Sequence, residues 1–321
     1  MGADAPVKVI YIAGYGRSGS TILDITLGQH GFILGAGEVT AMTRHVWDGN
    51  EYCACGSAVR DCPLWARVVG QWQAGEDADF LPQYRIAQEL VESILSWRRL
   101  LRIAPTRASY TRFVEQTTKL FQILQTVSGR QVVLDSSKMP GRAFALAALP
   151  SVELYVIHLV RDGRAVVWSM MRPFKRDLKK GLQKELEAKP LVYTALRWMV
   201  VNVAAQLLCW KLGARRSVRI RYEDFVADPD KTVKQVITMI RPIDAETVSL
   251  HESTIFPQHQ VAGSRHRMQQ MLTIEQDERW RSEMPRSNQL AVSFICAPLM
   301  LLYGYMRWPG KRGNLREALT S

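Results

Sequence analysis

Short apolar runs rich in β-branched residues alternate with longer amphipathic stretches, and a Gly/Ser-rich turn directly follows the first run. That pattern predicts an α/β fold: three layers, α/β/α, around a mostly parallel central sheet. Residues 1–321 are expected to form one domain, with a helical insertion over 51–130 and an apolar helix with a basic tail over 288–321.

Val7–Ala13 (VKVIYIA) is the first strand, followed by the Gly/Ser turn and an apolar-periodic helix over Thr21–Leu27. Phe32–Gly35 is the second strand. Gln83–Arg102 and Arg112–Val127 carry helical periodicity and fill the insertion, where they could shape an acceptor site. Val132–Asp135 is the third strand and Leu154–Val160 the fourth; the near-continuous apolar character of the fourth predicts burial on both faces. Leu191–Leu212 reads as a long helix, Val218–Arg221 as the fifth strand, and Asp230–Ile240 as a helix opened by Pro229.

Hydrophobic residues make up 47% of the chain, enough for a sizeable core, and with 22% charged residues and no low-complexity tract disorder is not the default. A net charge of +12 favours anionic partners: nucleotides, nucleic acid or an acidic membrane face. No nucleic-acid motif or aromatic–basic interleaving is present, which argues against DNA or RNA. Five cysteines in 321 residues do not make a disulfide scaffold. Met1–Lys8 is polar and Val9–Ala13 is too short for a signal-peptide core, so a cytoplasmic setting is expected. Leu290–Met306 carries no charge, is interrupted by Pro298 and Gly304, and precedes Arg307, Lys311, Arg312 and Arg316. It falls short of the roughly 20 residues of a membrane span. A buried terminal helix ending near Gly304 is expected; a membrane-peripheral anchor is the alternative. The charged run Lys175–Lys189 reads as a solvated helix face, with a basic flap over an anionic ligand as the alternative.

The most informative stretch is Gly14-Tyr15-Gly16-Arg17-Ser18-Gly19-Ser20-Thr21, between a strand and a helix. Glycines let backbone N–H groups approach a ligand, and the helix N-terminus adds a favourable dipole, so the turn is P-loop-like and suits an anion. Gly14 and Gly19 match the Walker A glycines, but Ser20 stands where its lysine belongs. Arg17 places the cation inside the loop instead. That suits a ligand with one 5′-phosphate better than a magnesium triphosphate.

Here the run Gly16–Leu23 (GRSGSTIL) resembles the 5′-phosphosulfate loop of the carbohydrate and tyrosylprotein sulfotransferases. The resemblance implies 3′-phosphoadenosine-5′-phosphosulfate (PAPS) as co-substrate, bound by Gly16, Arg17, Ser18, Gly19, Ser20 and Thr21, with Arg17 at the bridging oxygen. It implies Glu38 as general base, since a Glu stands at the same distance from the loop Arg in the tyrosylprotein enzymes. On its residues alone, Glu38 serves equally as an acid complementing the dipole of the next helix. Arg161, with Ser169 eight positions on, resembles the family's 3′-phosphate pair. Tyr222 in Arg221–Phe225 (RYEDF) resembles the adenine-contacting tyrosine, and Lys138 in Asp135-Ser136-Ser137-Lys138 the lysine near the sulfuryl group. His259–Arg267 resembles the loop of bacterial members that closes over the 3′-phosphate, through Gly263, Ser264 and Arg267; Ser264 replaces the usual Asn and Arg265 the usual Pro. No metal is required by in-line transfer to a hydroxyl or amine acceptor, be it carbohydrate, lipid-linked sugar, peptide or secondary metabolite. A kinase-like phosphotransferase and a non-catalytic nucleotide-binding protein are the alternatives.

Cys53, Cys55 and Cys62, with His45 upstream, could ligate zinc, but the tight C-x-C spacing favours a disulfide or a thiol cluster. Similar segments recur in bacterial members of the family, which implies a local staple of the insertion.

Overall fold

The structure is a computed structural model that describes residues 5–92, 106–173, 187–241 and 254–306. Five strands form the central sheet: β1 (Val7–Ala13), β2 (Ile33–Gly35), β3 (Val132–Lys138), β4 (Val152–Val160) and β5 (Ser217–Arg221). Their order is β2-β3-β1-β4-β5, and every pairing is parallel. All five strands expected from the sequence are present, and the mostly parallel sheet is entirely so.

Strand periodicity explains the layers. Side chains alternate across a pleated strand. Val9, Tyr11 and Ala13 of β1 therefore join one apolar cluster, with Val133, Leu154 and Val156. Ile10 and Ile12 join another on the opposite face, with Leu134, Tyr155 and Ile157. Both faces are covered, so β1 and β4 are buried almost throughout, as near-continuous apolar runs in a parallel sheet should be.

The helices are α1 (Ser20–Gly28), α2 (Trp65–Gln73), α3 (Phe80–Glu92), α4 (Arg107–Ser128), α5 (Pro140–Ala147), α6 (Gly163–Met171), α7 (Leu191–Leu212), α8 (Tyr222–Ala227), α9 (Pro229–Ile240) and α10 (Arg286–Leu302). α1, α8 and α9 cover one face of the sheet; the insertion helices α2, α3 and α4 pack with α5 on the other. Thr106 caps α4 by accepting from the Ser109 N–H at 3.1 Å, and Gly129 ends it in the left-handed conformation. Of the expected helix Gln83–Arg102, the part beyond Glu92 lies outside the described residues, as do residues 174–186 of the charged run and everything after Met306.

A buried charge cluster ties the insertion to the sheet. Arg142 of α5, 1% exposed, donates to Asp135 of β3 at 2.7 Å and pairs with Glu92 of α3. Thr40 joins them, donating its hydroxyl to Glu92 at 2.9 Å and its N–H to the Ser137 hydroxyl at 3.1 Å. This network fixes the end of β3.

The apolar segment Leu290–Met306 begins in α10, which ends at Leu302 shortly before left-handed Gly304, near the expected end. Val292, Cys296 and Met300 are buried in a cluster with Trp198 of α7, while Leu290 and Phe294 face outward, 71% and 85% exposed. Among the described residues, α7 is the one helix long and apolar enough to cross a membrane, with 44% of its most apolar stretch buried.

Candidate functional site

Except for Ser169, in the last turn of α6, every candidate residue up to Tyr222 sits at or beyond the carboxyl end of a sheet strand, where open α/β sheets bind ligands. β1 runs into Gly14, whose φ of 143° and close approach admit only glycine: a Cβ there would lie 2.3 Å from the Leu159 carbonyl oxygen. Gly19, at φ 91°, is the N-cap of α1, and a Cβ on it would meet the Tyr222 ring at 2.4 Å. No acidic residue and no side-chain cap occupies the first turn of α1, so its N–H groups and dipole suit an anion.

These strand ends surround a cavity of about 910 Å³. Gly16, Arg17, Gly19, Ser20 and Thr21 line it from the phosphate turn, Glu38 and Lys138 from the ends of β2 and β3, Arg161 from the β4–α6 junction and Ser169 from the last turn of α6. Tyr222 follows β5. Gly263, Ser264 and Arg267 come from the connection between β6 (Thr254–Ile255) and β7 (Leu272–Thr273), an antiparallel pair. Ser18 departs from expectation. It lies between left-handed Arg17 and Gly19, which turn it inward, and at 2% exposure it does not line the cavity.

Two residues need their backbone geometry to reach the site. Lys138 has a left-handed φ of 72°, and the β1–β3 register shifts between Tyr11 and Ala13, a bulge that re-aims the side chain. Glu38 precedes the helical turn Val39–Ala41 without capping it; its carboxylate instead pairs with the Lys138 ammonium in the cavity. Its carboxylate faces the cavity.

Arg161 donates to the Arg17 carbonyl at 3.1 Å and the Asp277 carbonyl at 2.8 Å, and its guanidinium lies 4.4 Å above the Tyr222 ring. Tyr222, 3% exposed, donates its hydroxyl to the Glu275 carbonyl at 3.2 Å. It braces Arg161 and Gly19, a packing role alongside its place in the cavity wall. The β6–β7 connection closes over the turn. Val261 bridges Gly37, the Glu38 N–H donates to the Val261 carbonyl at 2.9 Å, and the Ser264 N–H donates to the Thr21 hydroxyl at 3.2 Å. At Gly263 a Cβ would lie 3.0 Å from that hydroxyl and 3.2 Å from the Glu38 carboxylate.

The electrostatics favour a bound anion. Burial, reinforced by Arg265, lowers the pKa of Arg17, and burial lowers that of Arg267. The Nε–H groups of Arg161 and Arg267 are buried without a hydrogen-bond partner among the described residues. Such groups are costly unless something satisfies them, and phosphate oxygens would.

Several residues escaped the sequence reading. Glu275 acts through its main-chain carbonyl, which has no residue signature, and Asp277 through both its carbonyl and a carboxylate 3.6 Å from Arg161. His45 and Glu51, paired at 2.8 Å, line the cavity wall. Asp24 stood in plain sight, a carboxylate inside the apolar-periodic run of α1. It is fully buried and accepts the Gly37 N–H at 3.1 Å, one residue before Glu38. Burial pushes its pKa up to about 7, against hydrogen bonds from Ser136, Gln260 and Gly37 that lower it. A raised carboxyl pKa means that the folded state holds the proton more tightly than the unfolded chain. The stabilisation from Asp24 is therefore complete below its ordinary value of 3.8 and is lost as pH rises through about 7. Urea unfolding across that range should show this slope in the wild type and its removal in Asp24→Asn; equal slopes would contradict it.

Of the expected alternatives for the cysteines, the disulfide is absent and the thiols cluster. All five cysteines are free, and Cys55 and Cys62 stand 3.7 Å apart, well beyond the roughly 2.05 Å of a disulfide. The histidine beside them is His259, not His45, so His259 does not reach the anion site.

The sequence profile of the Sulfotransferase family matches residues 9–241. The human protein Carbohydrate sulfotransferase 3 is 30% identical over 171 residues, which span 50% of this chain and 35% of that protein. The chain thus matches about a third of that relative's length. The sulfotransferase domain of the Synechococcus PCC 7002 olefin synthase superposes with a TM-score of 0.50 at 18% identity, covering 96% of this chain and 98% of that one. A Mycobacterium avium sulfotransferase superposes with a TM-score of 0.46 at 14% identity over 92% and 77% of the two chains. The chain belongs to the sulfotransferase family, whose general activity is PAPS-dependent transfer, and the kinase-like alternative is not favoured.

Proposed function

We propose that the protein moves the sulfuryl group of PAPS in line onto a hydroxyl or amine. One observation carries this: a single cavity collects Arg17, Lys138, Arg161 and Arg267 around a phosphate turn with Ser20 in the Walker lysine position. The 5′-phosphosulfate lies along Gly16–Thr21. Arg17 and Lys138 stabilise charge on the bridging and sulfuryl oxygens, and Glu38 takes the acceptor's proton. Arg161, Ser169 and the Gly263–Arg267 loop hold the 3′-phosphate. Most of the rate then comes from positioning and electrostatic stabilisation, with no metal in the transfer itself. The chain works as one domain, and the insertion walls the acceptor side. Five free thiols fit a reducing, cytoplasmic setting.

The 3′-phosphate assignment is tested by comparing two ligands. Arg161→Ala should bind adenosine 3′,5′-bisphosphate about 100-fold more weakly, as expected for loss of a buried charge-assisted contact, while affinity for 5′-AMP barely changes. Equal losses for both ligands would remove Arg161 from the 3′-phosphate site.

A further inference from the structure

We propose that Cys53, Cys55, Cys62 and His259 bind one structural zinc ion, which fastens the start of the insertion to the loop that closes the nucleotide cavity.

The ligand set is complete. One donor atom from each residue lies within 4.8 Å of all the others. Cys55 Sγ and Cys62 Sγ are 3.7 Å apart, and His259 Nδ1 lies 3.4 Å from Cys62 Sγ and 3.9 Å from Cys53 Sγ. Zinc with bonds of about 2.3 Å to sulfur and about 2.0–2.1 Å to nitrogen places tetrahedral ligands about 3.5–3.8 Å apart. These three separations, 3.4, 3.7 and 3.9 Å, bracket that range, and all are too long for a disulfide.

The surroundings are built to hold the ligands. Left-handed Gly56, with its N–H donating to the Cys53 carbonyl at 3.0 Å, curls the C-x-C segment so that both sulfurs face one centre. The Trp65 indole donates to the His259 carbonyl at 2.7 Å, and the Ala54 N–H to the Gln260 carbonyl at 3.1 Å. Such partners orient the ligands of structural sites. Three thiolates and a neutral imidazole around Zn²⁺ leave a net charge of about −1. The buried guanidinium of Arg267, which donates to the Tyr52 carbonyl at 2.8 Å, lies close enough to sense Cys53. Four protein ligands fill the tetrahedron, so the ion has no open position for substrate and its role is architectural.

The position gives the ion a consequence. Cys62 and His259 are 197 residues apart in sequence. The cross-link holds His259, and Val261, Gly263, Ser264 and Arg267 follow it directly into the cavity. Resting on the nucleotide-site reading, zinc loss should weaken binding of adenosine 3′,5′-bisphosphate at least about tenfold, by freeing that loop.

The test is elemental analysis of the full chain purified without chelator, beside mercurial titration of its thiols with a zinc-sensitive dye. The expected result is about one zinc per chain, released as three thiols react. Zinc content should fall at least about tenfold in Cys55→Ser and Cys62→Ser but not in Cys209→Ser, a thiol outside the cluster. Replacement by Co²⁺ should give thiolate charge-transfer absorption with tetrahedral ligand-field bands. The thiol titration needs no variant, so poor folding of Cys62→Ser leaves the test intact. Reaction of all five thiols without zinc release, zinc content unchanged in Cys55→Ser, or another ion in its place would overturn the proposal. A protein that binds adenosine 3′,5′-bisphosphate but holds no zinc refutes this inference alone. Zinc without nucleotide binding refutes the functional reading and leaves the metal site standing.

Discussion

Glu38→Gln should abolish turnover while leaving the nucleotide bound. Its carboxylate is one of the few acidic groups in a cavity lined by cations, and it faces that cavity. Glutamine keeps the shape and removes both the proton acceptor and the negative partner of Lys138. Loss of a general base costs about 10²–10⁴-fold in rate. Affinity for the anionic nucleotide should hold or rise, because a negative charge leaves the site. The split between kcat and binding is the diagnostic, read by single-turnover transfer beside calorimetry. A Glu38→Gln enzyme with near wild-type turnover would end the base assignment and leave Glu38 as a tether for Lys138.

Arg142→Met should be the most damaging substitution for stability. Arg142 is the sole cation bonded to both Asp135 and Glu92 among the described residues, and all three are buried. Removing it leaves buried Asp135 without a cation and Glu92 with only the more exposed Arg44 at 3.3 Å, and breaking such a buried cluster costs about 3–5 kcal/mol. The expected signature is a lower urea midpoint at unchanged slope. The damage should extend to function, because Asp135 also accepts the Ser137 N–H at 3.0 Å, next to Lys138. A loss below about 1 kcal/mol would mean that the cluster is not a structural anchor.

The same residues show where sequence reasoning reached and where it stopped. The phosphate turn was legible because its constraint is local: a chain that must turn tightly beside a neighbouring strand needs glycine at Gly14 and Gly19. The strands β1 and β4 were legible because burial on both faces leaves a near-continuous apolar run. β3 was read as ending at Asp135, since Ser136, Ser137 and Lys138 lack strand character. They continue the strand because Asp135, Thr40 and Gly37 satisfy their polar groups. The Arg142 cluster was invisible, since its members lie on three separate elements and each alone reads as an ordinary surface charge. His45 was taken as the neighbour of the cysteines because it is close in sequence; the actual neighbour, His259, arrives only when the β6–β7 connection pairs with Gly37. Spacing identified the residues held by the strand ends, and tertiary pairing decided the rest.

The central claim is that this cavity takes a 3′-phosphorylated adenine nucleotide rather than a magnesium triphosphate. Calorimetric titration of the wild-type protein with adenosine 3′,5′-bisphosphate, beside ATP with magnesium, tests it most directly. Tight one-site binding of the bisphosphate with little heat from ATP is the predicted result. Preference for ATP with magnesium, or binding of neither, would contradict it.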